Sequence, residues 1–222
     1  MANFISALLD ILFPPRCIYC GQITKTEHKN ACPDCAKALP LFSKDTALRR
    51  GQAFSFCVSA FQYKDPFRHA FLQYKFYSKR HYADSFTPQL SNFVEAHLSG
   101  QIDCITWIPV SAITLKKRGF DQSQLIAESL GKFLSLPVVP LLTKARHITP
   151  QSQMPDAKSR RENVKDTFTL SNPHAVTGAR LLLVDDILTT GETLEEAART
   201  LQKAGFACIF AATLARVEAE TL

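Results

Sequence analysis

The residues best placed to do chemistry in this 222-residue sequence are two adjacent carboxylates followed by small hydroxylated residues: Arg180-Leu-Leu-Leu-Val-Asp-Asp-Ile-Leu-Thr-Thr-Gly-Glu-Thr-Leu194. Neighbouring acids repel each other and resist desolvation, so such a pair implies a ligand or cation that meets it. Asp185 and Asp186 therefore read as acceptors for a ligand's hydroxyl groups. Thr189, Thr190, Gly191 and Thr193 read as a cup at a helix start, where unpaired backbone N–H groups and hydroxyls can surround a phosphate. Acceptors for ribose hydroxyls beside a cup for a 5-phosphate fit a phosphorylated sugar. The plainer alternative is a capping box of Thr189 with Glu192, which leaves the acid pair unexplained.

A second constellation is Cys17-Ile-Tyr-Cys20 with Cys32-Pro-Asp-Cys35. Each spacing lets one tight turn aim two sulfurs at a single ion, and two such turns make a tetrahedral four-thiolate site that selects Zn²⁺. Four protein ligands leave no open position, so the zinc is expected to be structural; an iron–sulfur centre is the rival. Seven cysteines, an odd number with four in close pairs, suit a metal site better than a disulfide framework. Cys57, Cys104 and Cys208 sit in apolar, strand-like runs and read as core thiols.

These groups need a scaffold. Leu181 to Val184 is a continuous apolar run, the mark of a strand buried on both faces. Such a strand delivers the two acids at its carboxyl end, where ligands bind in α/β sheets. Further strands are expected near 54–61, 103–109, 138–142 and 206–214, with helices over 80–98, 122–135 and 191–204. The pattern predicts an α/β fold whose parallel sheet is covered on both faces. Phe4 to Phe13 predicts a short amphipathic helix ended by Pro14-Pro15. The expected division is a helix and zinc module over 1–45, then the α/β domain over 46–222.

Composition agrees with a folded protein: 46% of residues are apolar and 21% charged, which excludes a disordered or fibrous chain. No apolar run approaches the roughly 20 residues of a membrane span, and Met1 to Phe4 carries no basic residue of a signal peptide. The expectation is a cytoplasmic protein. Ten Lys or Arg against four Asp or Glu lie between Val110 and Lys165, a surplus equal to the whole chain's net charge of +6. A positive field confined to one region suggests a phosphate compound or nucleic acid as ligand, with a solvated basic face as the bland alternative.

The segment from Leu181 to Thr193 resembles the phosphoribosyl-diphosphate motif of type I phosphoribosyltransferases. More of the chain is similar to the ComF/GntX-like competence family: Phe13-Pro-Pro-Arg-Cys-Ile-Tyr-Cys-Gly21, the second cysteine pair, Tyr63 with Pro66, Lys75-Phe76, and Arg118-Gly-Phe-Asp-Gln122. The resemblance runs from Leu8 to about Leu214. It implies a type I phosphoribosyltransferase fold with an N-terminal zinc ribbon, and phosphoribosyl diphosphate with Mg²⁺ as ligands. Under it, Val110 and Ser111 carry the diphosphate loop, and Lys116, Lys117 and Arg118 supply cations to phosphate oxygens. Thr149 to Asn163, with Arg160 and Arg161, resembles the loop that closes such sites. Asp121 stands where Asn is usual, and Glu192 where a small residue is common.

The same resemblance implies a role in natural competence, the uptake of single-stranded DNA in transformation. Competence or DNA-translocation proteins would be its partners, and through them the inner face of the membrane its place. Direct DNA contact would use the same cations, with Phe120 or other exposed aromatics available for base stacking, unless DNA uses the zinc module. Three function classes follow: a phosphoribosyltransferase with an open acceptor, a non-catalytic phosphoribosyl-diphosphate sensor, and a nucleic-acid-binding module.

Overall fold

The computed structural model describes residues 14–25, 30–144, 167–171 and 178–218. The expected helix over Phe4 to Phe13 lies outside these residues, as does the whole of the expected closing loop, Thr149 to Asn163, Arg160 and Arg161 included. Among the described residues the elements run α1 (Pro33–Lys37), β1 (Leu48–Arg49), β2 (Cys57–Gln62), α2 (Phe67–Phe76), α3 (Tyr82–Leu98), β3 (Cys104–Trp107), α4 (Ala112–Arg118) and α5 (Gln122–Leu134). There follow β4 (Leu142–Lys144), β5 (Phe168–Leu170), β6 (Arg180–Leu188), α6 (Glu192–Gln202) and β7 (Cys208–Arg216). None of the described helices is long and apolar enough to cross a membrane.

The main sheet has the order β1-β2-β7-β6-β3. All neighbours in it are parallel except the short edge strand β1, which runs antiparallel to β2. Buried on both faces, β6 and β7 divide their side chains between two apolar clusters by simple alternation. Leu182 and Val184 of β6, with Phe210, Ala212 and Leu214 of β7, face the cluster covered by α2, α3 and α5. Leu181 and Leu183, with Ile209 and Ala211, face the other, closed by Leu194, Ala197, Ala198 and Leu201 of α6. The i, i+3, i+4, i+7 spacing of those four residues is the stripe by which an amphipathic helix docks.

Four of the five expected strands and all three expected helices of the domain are present within a few residues. The exception is 138–142. Val138 makes a single parallel bridge to Ile105, and the chain then leaves the sheet for β4, which pairs antiparallel with β5. Pro137 precedes this run and Pro140 lies within it; neither can donate to a ladder, so the pairing stops. Three helices, α1, α2 and α4, are not among those expected. Of the three core thiols, Cys57 and Cys104 are buried, while Cys208 is half-buried with its sulfur 3.2 Å from Ser55 Oγ.

Among the described residues the cysteine module shares its core with the sheet domain. Cys17, Ile18, Tyr19 and Cys32 belong to the same apolar cluster as Phe61, Phe67 and Phe86, and the Tyr19 ring centroid lies 6.3 Å from that of Phe86.

Candidate functional site

The strand β6 runs two residues past its acids. Asp185 and Asp186 are half-buried at its carboxyl end, and each accepts the N–H of the residue after it, at 2.8 and 2.7 Å. Asp185 also accepts the Ser123 hydroxyl at 3.0 Å, from the first turn of α5. Asp186 pairs with the Lys75 ammonium at 2.7 Å. Lys75 is aimed by the last turn of α2, which is fixed by its fully buried neighbour Tyr74, whose hydroxyl donates to the Gln122 carbonyl at 2.8 Å. Burial, and then the adjacent Asp186 charge, push Asp185 up to about 7. Lys75 counters part of this by favouring the ionised pair.

A cleft of about 300 Å³ opens over these acids. One wall is the loop after β3, from Ile108 to Ser111, with Thr114 and Arg118 of α4; Lys75, Ser123, Lys144 and Thr193 complete it. The loop's shape is held from behind. Asp121, the N-cap of α5, accepts the Val110 N–H at 2.9 Å and the Gln124 N–H at 3.2 Å. Ser111 caps α4 by accepting the Thr114 N–H at 3.2 Å. Val110 and Ser111 thus border the cleft, although the Val110 N–H and the Ser111 hydroxyl each already have a protein partner.

Of the remaining expected site residues, Arg118 lines the cleft and donates to Gln122 Oε1 at 3.0 Å. Lys116 is exposed outside it, and Lys117 lines an adjoining cleft with Phe76 and Ile113. Thr193 borders the acid cleft, whereas Thr190 borders a separate one beside Arg49 to Gln52. The turn between them takes its shape from Gly191, whose φ of +91° puts it in the left-handed region that glycine favours. Gly191, not Thr189, is the N-cap of α6 and makes no side-chain cap, while the Thr190 hydroxyl accepts the Glu192 N–H at 3.5 Å. The capping-box alternative therefore fails: the residue at the cap has no hydroxyl.

Three side chains of the cleft were not singled out from sequence, Thr114, Ser123 and Lys144, and Lys75 entered only as part of the family resemblance, without a role in the site. Lys144 is half-buried; burial lowers its pKa while Asp185, Asp121 and Asp186 pull the other way. Phe120, expected to be available for stacking, is buried instead. It packs with its centroid 5.7 Å from Tyr74 and with the Arg80 guanidinium 5.2 Å from its ring.

The four cysteine sulfurs of the ribbon all lie within 4.8 Å of one another, and those of Cys20 and Cys32 are 3.8 Å apart. Sulfurs bound at about 2.3 Å to a tetrahedral ion stand about 3.8 Å apart, so the cluster has the size that Zn²⁺ requires. The turns supply the rest. Gly21, at φ +74°, closes the first, with its N–H donating to the Cys17 carbonyl at 2.9 Å. The second is α1, where the Cys32 sulfur accepts the Cys35 N–H. Burial opposes ionisation of Cys17, but backbone N–H groups of Cys32, Cys20 and Tyr19 outweigh it and bring that thiol down to about 7.

Residues 98–222 match the model of the phosphoribosyl transferase domain, and residues 8–55 that of the double zinc ribbon domain. Competence protein F of Haemophilus influenzae is 26% identical over 193 residues, covering 86% of this chain and 80% of the relative. DNA utilization protein YhgH of Escherichia coli is 26% identical over 201 residues, 87% of this chain and 86% of its own length. Among solved structures, the purine phosphoribosyltransferase from Pyrococcus horikoshii Ot3 is 19% identical with a TM-score of 0.38, over 60% of this chain and 72% of that one. With more than half its length matched, and a four-cysteine ribbon before it, the chain belongs to the phosphoribosyl transferase domain family as a homologue of Competence protein F and YhgH.

Proposed function

We propose that the acid cleft binds phosphoribosyl diphosphate with Mg²⁺. The observation that carries this reading is the convergence of Asp185 and Asp186 with Arg118, Lys75 and Thr193 around one cleft at the end of a buried parallel strand. In this reading the two carboxylates accept the ribose hydroxyls, and Thr189, Thr190, Gly191 and Thr193 surround the 5-phosphate. The loop of Val110 and Ser111, with Lys116, Lys117 and Arg118, faces the diphosphate, and Arg160 and Arg161 belong to a closing segment. Mg²⁺ would neutralise diphosphate charge and so favour its departure. Transfer to a nitrogen acceptor would form a C–N bond at the anomeric carbon as the C–O bond to diphosphate breaks, with no covalent enzyme intermediate. A non-catalytic sensor uses the same contacts without the acceptor. The names of the relatives, competence and DNA utilization, suggest that this chain too acts in the handling of DNA in natural transformation.

The position of Asp185 sets a pH dependence. Its folded-state value, about 7, lies above the ordinary value, so its contribution to stability is complete below about pH 4 and is lost as pH rises through 7. A carboxylate that accepts two hydroxyls must be ionised. Binding is therefore expected to tighten about tenfold between pH 6 and pH 8, and Asp185→Asn should flatten that part of the slope. Calorimetric titration with the ligand and Mg²⁺ at both pH values measures this, and diphosphate release across a panel of bases and amines measures turnover. Release with one acceptor identifies a transferase; tight binding without release identifies a sensor. No heat at millimolar ligand removes the reading.

A second reading, contact with single-stranded DNA, is favoured by an exposed aromatic pair. Phe76 and Tyr77 are 60% and 66% exposed, and the Arg118 guanidinium lies 5.4 Å from the Phe76 ring. Aromatic faces beside cations suit sequence-independent stacking on bases. Labelled single strands should bind weakly, lose affinity steeply with salt and compete with phosphoribosyl diphosphate for Arg118. Fluorescence polarisation tests all three, and binding that is indifferent to both salt and the competing ligand would place DNA elsewhere or nowhere.

A further inference from the structure

The turn proposed to hold the 5-phosphate is gripped from its far side by a residue outside the Leu181–Thr193 motif. Arg49, on the edge strand β1, donates from Nη1 to the Thr189 carbonyl at 3.0 Å and from Nη2 to the Thr190 carbonyl at 3.1 Å. A trans peptide points its C=O and the next residue's N–H in opposite directions. Drawing both carbonyls toward Arg49 therefore turns the N–H groups of Thr190 and Gly191 away from it. Among the described residues, neither of those two N–H groups donates a hydrogen bond to the protein. They are oriented donors without an acceptor.

Arg49 is itself held in place. Its strand pairs with β2, Arg49 opposite Cys57. Just beyond, the Glu195 carboxylate of α6 accepts the N–H groups of Gln52 and Ala53 at 2.7 and 2.8 Å. The segment bearing Arg49 is thus anchored to the very helix whose start the turn forms. A guanidinium is a rigid fork that can span two carbonyls, whereas an ammonium is a single point.

The geometry points to Arg49 as a positioning residue, which fixes two peptide planes so that their N–H groups are preset for the 5-phosphate of the ligand. It rests on the phosphoribosyl reading of the site and adds to it a residue from the segment that follows the zinc ribbon. Presetting donors in this way saves the ordering that a loose turn would undergo on binding.

The test compares three probes on the full chain: phosphoribosyl diphosphate, ribose 5-phosphate and inorganic diphosphate, each with Mg²⁺, by calorimetry. Arg49→Ala is expected to weaken the first two about tenfold, the cost of losing two oriented donors, and to leave inorganic diphosphate, which has no 5-phosphate, unchanged. Arg49→Lys keeps the charge but not the fork, and should recover only part of the loss. Melting of each variant without ligand verifies that it folds. Equal weakening of all three probes, full recovery in Arg49→Lys, or no loss in Arg49→Ala would each overturn the assignment. A different result, an unmodified chain that binds none of the probes, would remove the phosphoribosyl reading and this inference with it.

Discussion

Replacing Cys17 and Cys32 together by serine is expected to unfold the sheet domain along with the ribbon. Both sulfurs lie in the apolar cluster that also contains Phe61, Phe67, Phe86 and the inner residues of β6 and β7. Ile18 and Tyr19, which sit between the ligands of the first turn, are 6% and 4% exposed. Losing the metal therefore frees side chains on which α2 and α3 pack. Structural zinc in small modules contributes about 10–16 kcal/mol, against a total stability of about 5–15 kcal/mol for a typical domain. The double variant should lose near-ultraviolet circular dichroism from the whole chain, and a strong chelator should produce one cooperative transition. Metal analysis should give one zinc per unmodified chain. Stoichiometric iron would overturn the zinc assignment, and a ribbon that melts separately from an intact sheet would overturn the shared-core argument.

Asp185→Asn combined with Asp186→Asn is expected to abolish stabilisation by phosphoribosyl diphosphate. At 100 times its dissociation constant a ligand that binds only the folded state adds about 2.7 kcal/mol, roughly 5–10 °C in Tm for a chain of this size. The amides keep the shape but offer weaker acceptors to ribose hydroxyls, and they leave Lys75 without its 2.7 Å partner. The ligand-free melting point changes by opposing terms: relief of the repulsion between the acids, and loss of the ion pair. The readout is therefore the ligand-induced shift in each protein. An undiminished shift in the double variant would move the ligand away from this cleft.

The parts of the fold and site that were legible in the sequence are those fixed by local pattern. The unbroken run Leu181 to Val184 specifies a buried strand wherever it occurs, and the two cysteine pairs specify their turns by spacing alone. The α2 helix carries an equally local signal, Phe67, Ala70, Phe71 and Tyr74 on one stripe, obscured by polar residues that lower its overall apolar character. Lys75 and Arg49 are another matter. Lys75 meets Asp186 across 111 residues of chain, and Arg49 meets Thr189 across 140. No spacing rule connects such partners; only the order of strands in the sheet brings them together. Phe120 fails for the converse reason: next to a glycine and a run of cations it looks exposed, yet the turn at Gly119 folds it inward against Tyr74.

The pairing of β2 with β7 bears on how the chain is made. Ser59 and Thr213 share a 2.8 Å hydrogen bond across neighbouring strands, yet 154 residues separate them in sequence. At ordinary rates of synthesis β2 waits roughly 10–30 s for its partner to leave the ribosome. Meanwhile Val58, Ala60 and Phe61 have only the two-residue strand β1 beside them. Ile18 and Tyr19 of the ribbon share their apolar cluster with those residues, so ribbon and strand, made one after the other, can cover each other's apolar side chains while β7 is still unmade.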